Sequence, residues 1–139
     1  MERQIYVTAQ DKKRLMDCLA SLQEIADKRE LPHIQYLDRE LARAVVIDDP
    51  SLLPSDVITM RSRVRLRDAN SHSLLECTLV YPTERAPEEG RISVLAPLGA
   101  SMLGYKAGDA FEVTLPKGPA RYHVEEILYQ PESSGDYDL

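Results

Sequence analysis

The spacing of the apolar residues changes once along the chain, and this change restricts the possible folds more than any other feature of the sequence. Before residue 48 the apolar residues recur every three or four positions, which is the spacing of one helix face. After residue 57 they alternate with polar residues, as in a half-buried strand. The segment 48-DDPSLLPSD-56, with two prolines and three aspartates, separates the patterns. The sequence therefore predicts an α+β protein in which a linker joins a helical part to a sheet part.

The helical part is predicted to be a pair of helices. The stretch 8-TAQD-11 has the residue types of a helix start, and a helix over residues 9–28 would be about 30 Å long. Pro32 marks the restart of a second helix. Each helix carries an apolar seam: Leu15, Leu19, Leu22 and Ala26 in the first, and Ile34, Leu37, Leu41 and Ala44 in the second. Because the connection is short, we expect an antiparallel helical hairpin, which is a short coiled coil.

The sheet part is predicted to be antiparallel. The alternating stretches 60-MRSRVRLRD-68 and 74-LLECTLVYP-82 flank the turn signal 69-ANSHS-73, so they indicate a hairpin with one solvated face. After a loop, strand patterns recur at residues 92–95, 110–115 and 121–129.

One short helix is predicted within the sheet part, in the segment 96-APLGASMLGYKAGD-109. Pro97 suits a first helical turn, and Leu98 and Met102 lie four positions apart on one face. Gly104 can close the helix in a left-handed conformation, and Gly108 precedes a turn into the next strand. The segment therefore has a structural role, and only its edge from Leu95 to Leu98 is expected to contact a partner.

Four arginines alternate along one face of the first predicted strand of the sheet: Arg61, Arg63, Arg65 and Arg67. They could bind phosphate groups, or they could be the charged residues of a solvated face, with Glu76 paired across the hairpin. The second interpretation is favoured because the chain is acidic, with a net charge of −6. The adjacent Glu125 and Glu126 are expected to point to opposite faces of their strand and to form no carboxylate pair.

The composition excludes several classes of protein. With 29% charged and 43% hydrophobic residues, the chain is expected to fold as an ordinary globular protein. Its negative charge argues against a general binder of nucleic acid, so a protein or a small ligand is the expected partner. Cys18 and Cys77 have no spacing typical of disulfides or zinc sites, and no stretch predicts a secretory signal or a membrane span. We expect a cytoplasmic monomer.

The sequence contains no clear catalytic site. His33, His72 and His123 lie far apart, and the serine-hydrolase, P-loop and dinucleotide motifs are absent. An enzyme, a cofactor and a structural metal are therefore not expected. One acidic group remains, at the predicted hairpin tip: Glu24, Asp27 and Glu30. Two of these carboxylates could face a cation such as Mg²⁺, although a solvated helix end is the favoured interpretation.

The segment near residue 100 resembles the Gre transcript-cleavage factors of bacterial RNA polymerase. The match to their S-P-L-x-x-A-L-x-G-x-x-x-G-D element consists of seven residues: Ala96, Pro97, Leu98, Leu103, Gly104, Gly108 and Asp109. The whole chain is more similar to the Rnk branch of this superfamily. That resemblance is carried by 57-VITMRSRVRLRD-68, 78-TLVYP-82, 92-ISVLAPLGASMLG-104, 127-ILYQPE-132 and 135-GDY-137.

The resemblance implies both a fold and a function. It implies a helical hairpin over residues 1–48, a linker over 49–56, an FKBP-like domain over 57–130 with an antiparallel sheet and one short helix, and an acidic tail over 131–139. It implies a regulator without catalysis that binds RNA polymerase at the secondary channel, competes with Gre factors and influences nucleoside diphosphate kinase levels. The residues expected to contact the polymerase are Leu95, Ala96, Pro97, Leu98 and Met102. The Gre element can have an acidic residue before its S-P, whereas Leu95 and Ala96 precede Pro97 here.

Two other functions stay open. A Gre-type cleavage factor would use Asp27 and Glu30, but a hairpin of about 30 Å would stop short of the polymerase metal. Prolyl isomerase activity would need an aromatic-lined pocket, and the chain has no Trp and a single Phe, Phe111.

Overall fold

The computed structural model describes residues 5–23, 31–49, 53–115 and 118–135. The first helix, α1, spans Ala9–Gln23, and the second, α2, spans Leu31–Arg43. The Asp11 backbone N–H donates to Thr8 Oγ1 at 3.0 Å, so Thr8 is the N-cap of α1, as predicted. The two predicted seams are confirmed within the described residues, because Leu15, Leu19, Ile34, Leu37 and Leu41 are all buried. Glu24, Asp27 and Glu30, together with the predicted end of the first helix, lie outside the described residues.

A two-stranded parallel sheet closes the base of the helical pair. Strand β1 (Tyr6–Thr8) precedes α1, strand β2 (Val45–Ile47) follows α2, and Tyr6 is paired with Val45. The Val45 N–H also donates to Ile5 O at 2.8 Å. Because the end of α2 thus lies beside the start of α1, the helices run antiparallel, as predicted. The sequence pattern predicts no strands here, since three residues are too few to show a period.

The remaining strands form one five-stranded sheet. They are β3 (Arg63–Asp68), β4 (Leu74–Val80), β5 (Arg91–Ser93), β6 (Ala110–Leu115) and β7 (Gly118–Tyr129), in the order β5-β4-β3-β7-β6. The predicted β3–β4 hairpin is present, and β7 pairs antiparallel with both β3 and β6. The predicted class, a helical pair with a sheet and one short helix, is confirmed. The prediction of a wholly antiparallel sheet needs correction, because β5 runs parallel to β4.

The parallel pairing follows from the connection between β4 and β5. Residues 81–90 contain two short 3₁₀ turns, Pro82–Glu84 and Pro87–Glu89, instead of a two-residue hairpin turn. This segment is long enough for the chain to return towards the end of the sheet at which β4 begins. Strand β5 therefore runs in the same direction as β4. The short helix α3 (Pro97–Met102) then leads to β6. The FKBP-like description and the division into domains remain predictions.

Ile5 attaches the start of the chain to the sheet part. Gly104, directly after α3, has φ +85°, and a Cβ built on it would lie 2.3 Å from the Cβ of Ile5. The Gly104 N–H donates to Ile58 O at 2.9 Å, which fixes this backbone in place. Buried side chains of both helices and of the five-stranded sheet join in a single hydrophobic cluster around this contact. The helical pair and the sheet therefore share one core.

The Gly104 contact predicts a difference between two alanine substitutions. Gly104→Ala would add left-handed strain of about 1 to 2 kcal/mol and a clash costing roughly 1 to 3 kcal/mol. Gly108→Ala is the matched control, because Gly108 has φ +94° but nothing within 4 Å of a built Cβ. We expect urea unfolding to show a clearly larger loss of unfolding free energy for Gly104→Ala than for Gly108→Ala. Equal losses would mean that Ile5 leaves room for a side chain at residue 104.

Candidate functional site

The predicted contact edge is held rigidly by the chain around α3. Ala96 is the N-cap of α3, with φ −67° and ψ 150°, and Pro97 occupies the first turn. The Ala96 N–H donates to Ser93 O at 3.0 Å, and the Leu95 N–H donates to Ser93 Oγ at the same distance. A Cβ on Gly99 would lie 2.0 Å from Ser93 O, so α3 packs directly on the backbone of β5. The position of the edge is therefore set by the sheet.

Burial divides the predicted contact residues into two groups. Met102 is 0% exposed and Leu98 is 8% exposed, and both belong to the hydrophobic core. Their shared face, which the sequence predicted, is the face that packs inward. Leu95, Ala96 and Pro97 are partly exposed. The side chains of Leu98 and Met102 therefore pack α3 against the core, and Leu95, Ala96 and Pro97 are the residues of the edge that reach the surface. The polymerase contact of all five residues stays a prediction.

Leu95 and Ala96 line a groove of about 580 Å³, which we call the Leu95 groove. Ile92 and Ser93 of the β5 strand region form one wall, and residues Pro82, Thr83 and Arg85 form another. Leu22 of α1 contributes from the helical pair. The contribution of Leu22 is not predicted by the sequence, because its seam position indicates a helix contact alone. The groove offers an apolar floor with one cation beside it.

A second cavity, of about 630 Å³, lies between α1 and the sheet. The α1 side is formed by Arg14, Asp17, Cys18 and Ser21, and the other side by residues 81–84 with Arg61. Arg61 has φ 65°, which is uncommon for a residue with a Cβ. Its guanidinium donates to both carboxylate oxygens of Glu84, at 2.8 to 3.2 Å, and lies 5.2 Å from the centre of the Tyr81 ring. Its charge is therefore already matched.

The arginine stripe is a solvated face of matched charges, which was the favoured interpretation. Arg63 and Arg65 both bind Glu76, at 2.9 and 3.0 Å, and these hydrogen bonds lower the pKa of Glu76. Arg65 also pairs with Glu126, and Arg67 with Glu125.

The expectation that Glu125 and Glu126 point to opposite faces is wrong. The register between β3 and β7 shifts after Arg65, so one extra residue is inserted in β7. A bulge of this kind interrupts the alternation of side chains, and both glutamates reach arginines of the same strand. Arg61 is not part of the stripe, because it precedes β3 and its side chain binds Glu84.

A buried polar cluster joins α1 to the sheet part, and the sequence analysis missed it. Asp11 is 3% exposed, accepts from the Met60 N–H at 3.4 Å and lies 3.5 Å from the Tyr81 hydroxyl. Glu132, which is 8% exposed, accepts from Thr59 Oγ1 at 2.7 Å. Burial, with Glu132 as the next cause, raises the pKa of Asp11 to about 7. Asp11 was interpreted only as a capping residue, and no sequence signal connects it to residues so distant in the chain.

The described residues give no further candidate for metal binding or membrane insertion. Within residues 5–23, 31–49, 53–115 and 118–135, no three side chains of His, Cys, Asp or Glu cluster as a metal site would require. In the same residues, none of the helices combines the length and the apolar character needed to cross a bilayer.

Two family models match the chain, and together they span both of its parts. The model described as "Transcription elongation factor, GreA/GreB, C-term" matches residues 53–129, which is more than half of the chain. The model described as "Rnk N-terminus" matches residues 3–47. The chain therefore belongs to the GreA/GreB superfamily of transcription elongation factors, in the branch that carries the Rnk N-terminus.

Individual relatives agree with this assignment. The "Regulator of nucleoside diphosphate kinase" of Escherichia coli strain K12 is 42% identical over 110 residues, which cover 78% of this chain and 80% of that protein. The "Transcription elongation factor GreA" of Nitratiruptor is 44% identical over 91 residues, covering 66% of this chain and 55% of that protein. A solved structure described as GreA/GreB from Nitrosomonas europaea superposes with a TM-score of 0.76 at 37% identity, covering 90% of this chain and 99% of that one.

The division of the contact edge predicts unequal effects on stability. Met102→Ala would leave a cavity in the core and should cost about 2 to 5 kcal/mol. Pro97→Ala would remove only the restriction that proline places on the backbone of the unfolded chain. The free energy of unfolding should therefore fall by about 1 kcal/mol or less. Urea denaturation of the two variants measures the difference. A loss for Pro97→Ala as large as that for Met102→Ala would assign the whole edge to the core.

Proposed function

We propose that this protein is a transcription regulator that binds RNA polymerase at the secondary channel without catalysing cleavage, in competition with Gre factors. The observation that supports this most directly is the partly exposed Leu95–Pro97 edge, held rigidly on a fold of the Gre superfamily. The family model of GreA/GreB elongation factors matches residues 53–129, the part of the chain that contains this edge. RNA polymerase is the partner that the resemblance implies for such an edge.

The edge has the chemistry of a protein contact. Leu95 and Ala96 give the Leu95 groove an apolar floor, and its volume admits one or two side chains of a partner. Because the edge carries no carboxylate before Pro97, its binding energy would come from apolar burial rather than from an ion pair. Arg85 at the groove is available to set the orientation of an acidic partner surface.

The proposal that cleavage is absent depends on the reach of the hairpin. Helix α1 is 15 residues long up to Gln23, and α2 begins at Leu31. Even if residues 24–28 continued α1, the helix would measure about 30 Å. Asp27 and Glu30 would then end within the channel before reaching its catalytic metal. The protein would occupy the channel and exclude longer factors from it.

Two further parts of the proposal concern the cell. The relative from Escherichia coli is named as a regulator of nucleoside diphosphate kinase, and we propose that the present chain influences the level of this enzyme through transcription. We also propose that the protein acts in the cytoplasm as a monomer, since RNA polymerase is located there.

Substitution of Ala96 tests polymerase binding without disturbing the fold. Ala96 is an N-cap without a side-chain hydrogen bond, so Asp or Ser there should cap α3 and preserve its stability. Ala96→Asp also places a charge in the Leu95 groove, and we expect affinity for core polymerase to fall by about tenfold or more, equal to roughly 1.4 kcal/mol. Ala96→Ser is the matched control and should bind like the wild type. Fluorescence anisotropy, with a Gre factor as competitor, measures both.

The same measurement can contradict the proposal in two ways. Wild-type protein that does not bind polymerase at micromolar concentration would exclude the proposed partner. Wild-type binding that Ala96→Asp leaves unchanged would place the contact on another surface.

A cleavage assay separates the regulator from a Gre-type factor. We expect stalled, backtracked transcription complexes to keep their transcript lengths when the wild-type protein is added. Transcript shortening that Asp27→Ala abolishes would instead support the Gre-type alternative, in which the hairpin tip carries carboxylates to the metal.

A further inference from the structure

Two buried carboxyl groups bind the adjacent residues Thr59 and Met60 where α1 contacts the sheet part, and neither is used in the proposed function. Asp11 comes from the first turn of α1, and Glu132 comes from the turn after β7. Thr59, Ser62 and Tyr81 complete the group, which we call the Asp11–Glu132 joint. All five residues are at most 9% exposed. The joint connects segments that are far apart in the chain.

Hydrogen bonds satisfy the two carboxyl groups unequally. Glu132 accepts a short bond of 2.7 Å from Thr59 Oγ1, whose oxygen also lies 2.8 Å from Ser62 Oγ. Ser62 Oγ accepts from the Thr59 N–H at 2.9 Å, so this side of the joint is a closed network. The contacts of Asp11 with the Met60 N–H and the Tyr81 hydroxyl are 3.4 and 3.5 Å long. Bonds of this length stabilise a negative charge weakly.

Four charged or titratable side chains surround the Asp11 carboxyl. They are Arg14 on α1, Arg61 before β3, Tyr81 after β4, and Glu132 after β7. The Arg61 charge is engaged by both oxygens of Glu84. Arg14 favours the ionised form of Asp11, but burial and, after it, the repulsion by Glu132 have the larger influence and raise the pKa of Asp11 to about 7. A buried carboxyl with these neighbours keeps its proton to a higher pH than an exposed one.

We propose that the Asp11–Glu132 joint is a proton-controlled connection that seats the helical pair on the sheet when Asp11 is protonated and loosens when it ionises. Protonated Asp11 carries no charge, so its burial costs little. Ionisation would place a buried negative charge beside Glu132, an unfavourable neighbour, with no short hydrogen bond on the Asp11 side to stabilise it. This inference does not depend on polymerase binding, because its tests use the free protein.

The direction of the pH dependence follows from linkage. The pKa of Asp11 is about 7 in the folded protein and near its ordinary value of 3.8 in the unfolded chain. The folded state therefore holds the proton more tightly, and its contribution to stability is complete below pH 3.8. This contribution decreases as the pH rises and is lost above about pH 7. The joint should loosen over the upper part of this range.

Carboxyl ¹³C NMR of the wild-type protein tests the proton directly. We expect the Asp11 resonance, assigned through its backbone correlations, to titrate near pH 7. A midpoint below about pH 5 would overturn the proposal, since the carboxyl would then be ionised under all ordinary conditions. Glu132→Gln removes the neighbouring charge and should lower the midpoint. An unchanged midpoint in this variant would show that the two carboxyl groups do not interact, and would also overturn the proposal.

Hydrogen exchange tests the seating of the helices. After correction for intrinsic exchange, protection of the Met60 amide in the wild-type protein should fall by about tenfold, or one logarithmic unit, per pH unit as the pH rises towards about 7, and should level off above it. Asp11→Asn mimics the protonated group, so its protection should stay constant. Asp17→Asn, an exposed change on the same helix, is the matched control and should behave like the wild type. The same pH response in wild type and Asp11→Asn would overturn the proposal.

Discussion

The packing of Ile5 against Gly104 is the contact on which the arrangement of the two parts depends. A built Cβ at residue 104 would overlap Ile5, so the absence of a side chain is what allows the start of the chain to approach the end of α3. Ile5 leads into β1, and β1 pairs with β2 at the base of the helical pair. A single close contact thereby places both helices relative to the sheet. The shared core then extends from Leu15 and Leu37 to Met102 and Phe111.

Local patterns predicted most of the elements, because each pattern has a physical cause within a few residues. Thr8 caps α1, Pro97 begins α3 and Gly104 is left-handed, and all three follow from backbone chemistry that is visible in the sequence. The β1–β2 pairing, the parallel β5 strand and the bulge in β7 depend on which distant segments meet. No short window of sequence contains that information. The errors in the five-stranded sheet are therefore errors of pairing, whereas β1 and β2 were not predicted as strands at all.

The same distinction applies to the candidate site. A spacing of four residues correctly placed Leu98 and Met102 on one face, but spacing alone does not say whether that face points to the core or to solvent. The floor of the Leu95 groove combines the segment near α3 with Leu22 of α1, and the Asp11–Glu132 joint combines the first turn of α1 with residues near the end of the chain. Both features exist only after the helical pair packs on the sheet. The residues of both features are visible in the sequence, but the sequence does not show that they lie together in the fold.

Charge distribution makes an apolar edge the stronger candidate for a partner contact. On the solvated face of the sheet, Arg63, Arg65 and Arg67 are matched by an equal number of glutamates: Glu76, Glu125 and Glu126. A phosphate or an acidic partner would have to break these pairs, and the negative charge of the whole chain would oppose its approach. The Leu95 groove has no such competition, because apolar burial requires only the displacement of water. Specific recognition on this protein is therefore favoured at the groove, where the rigid backbone of Ser93 and α3 limits the entropy lost on binding.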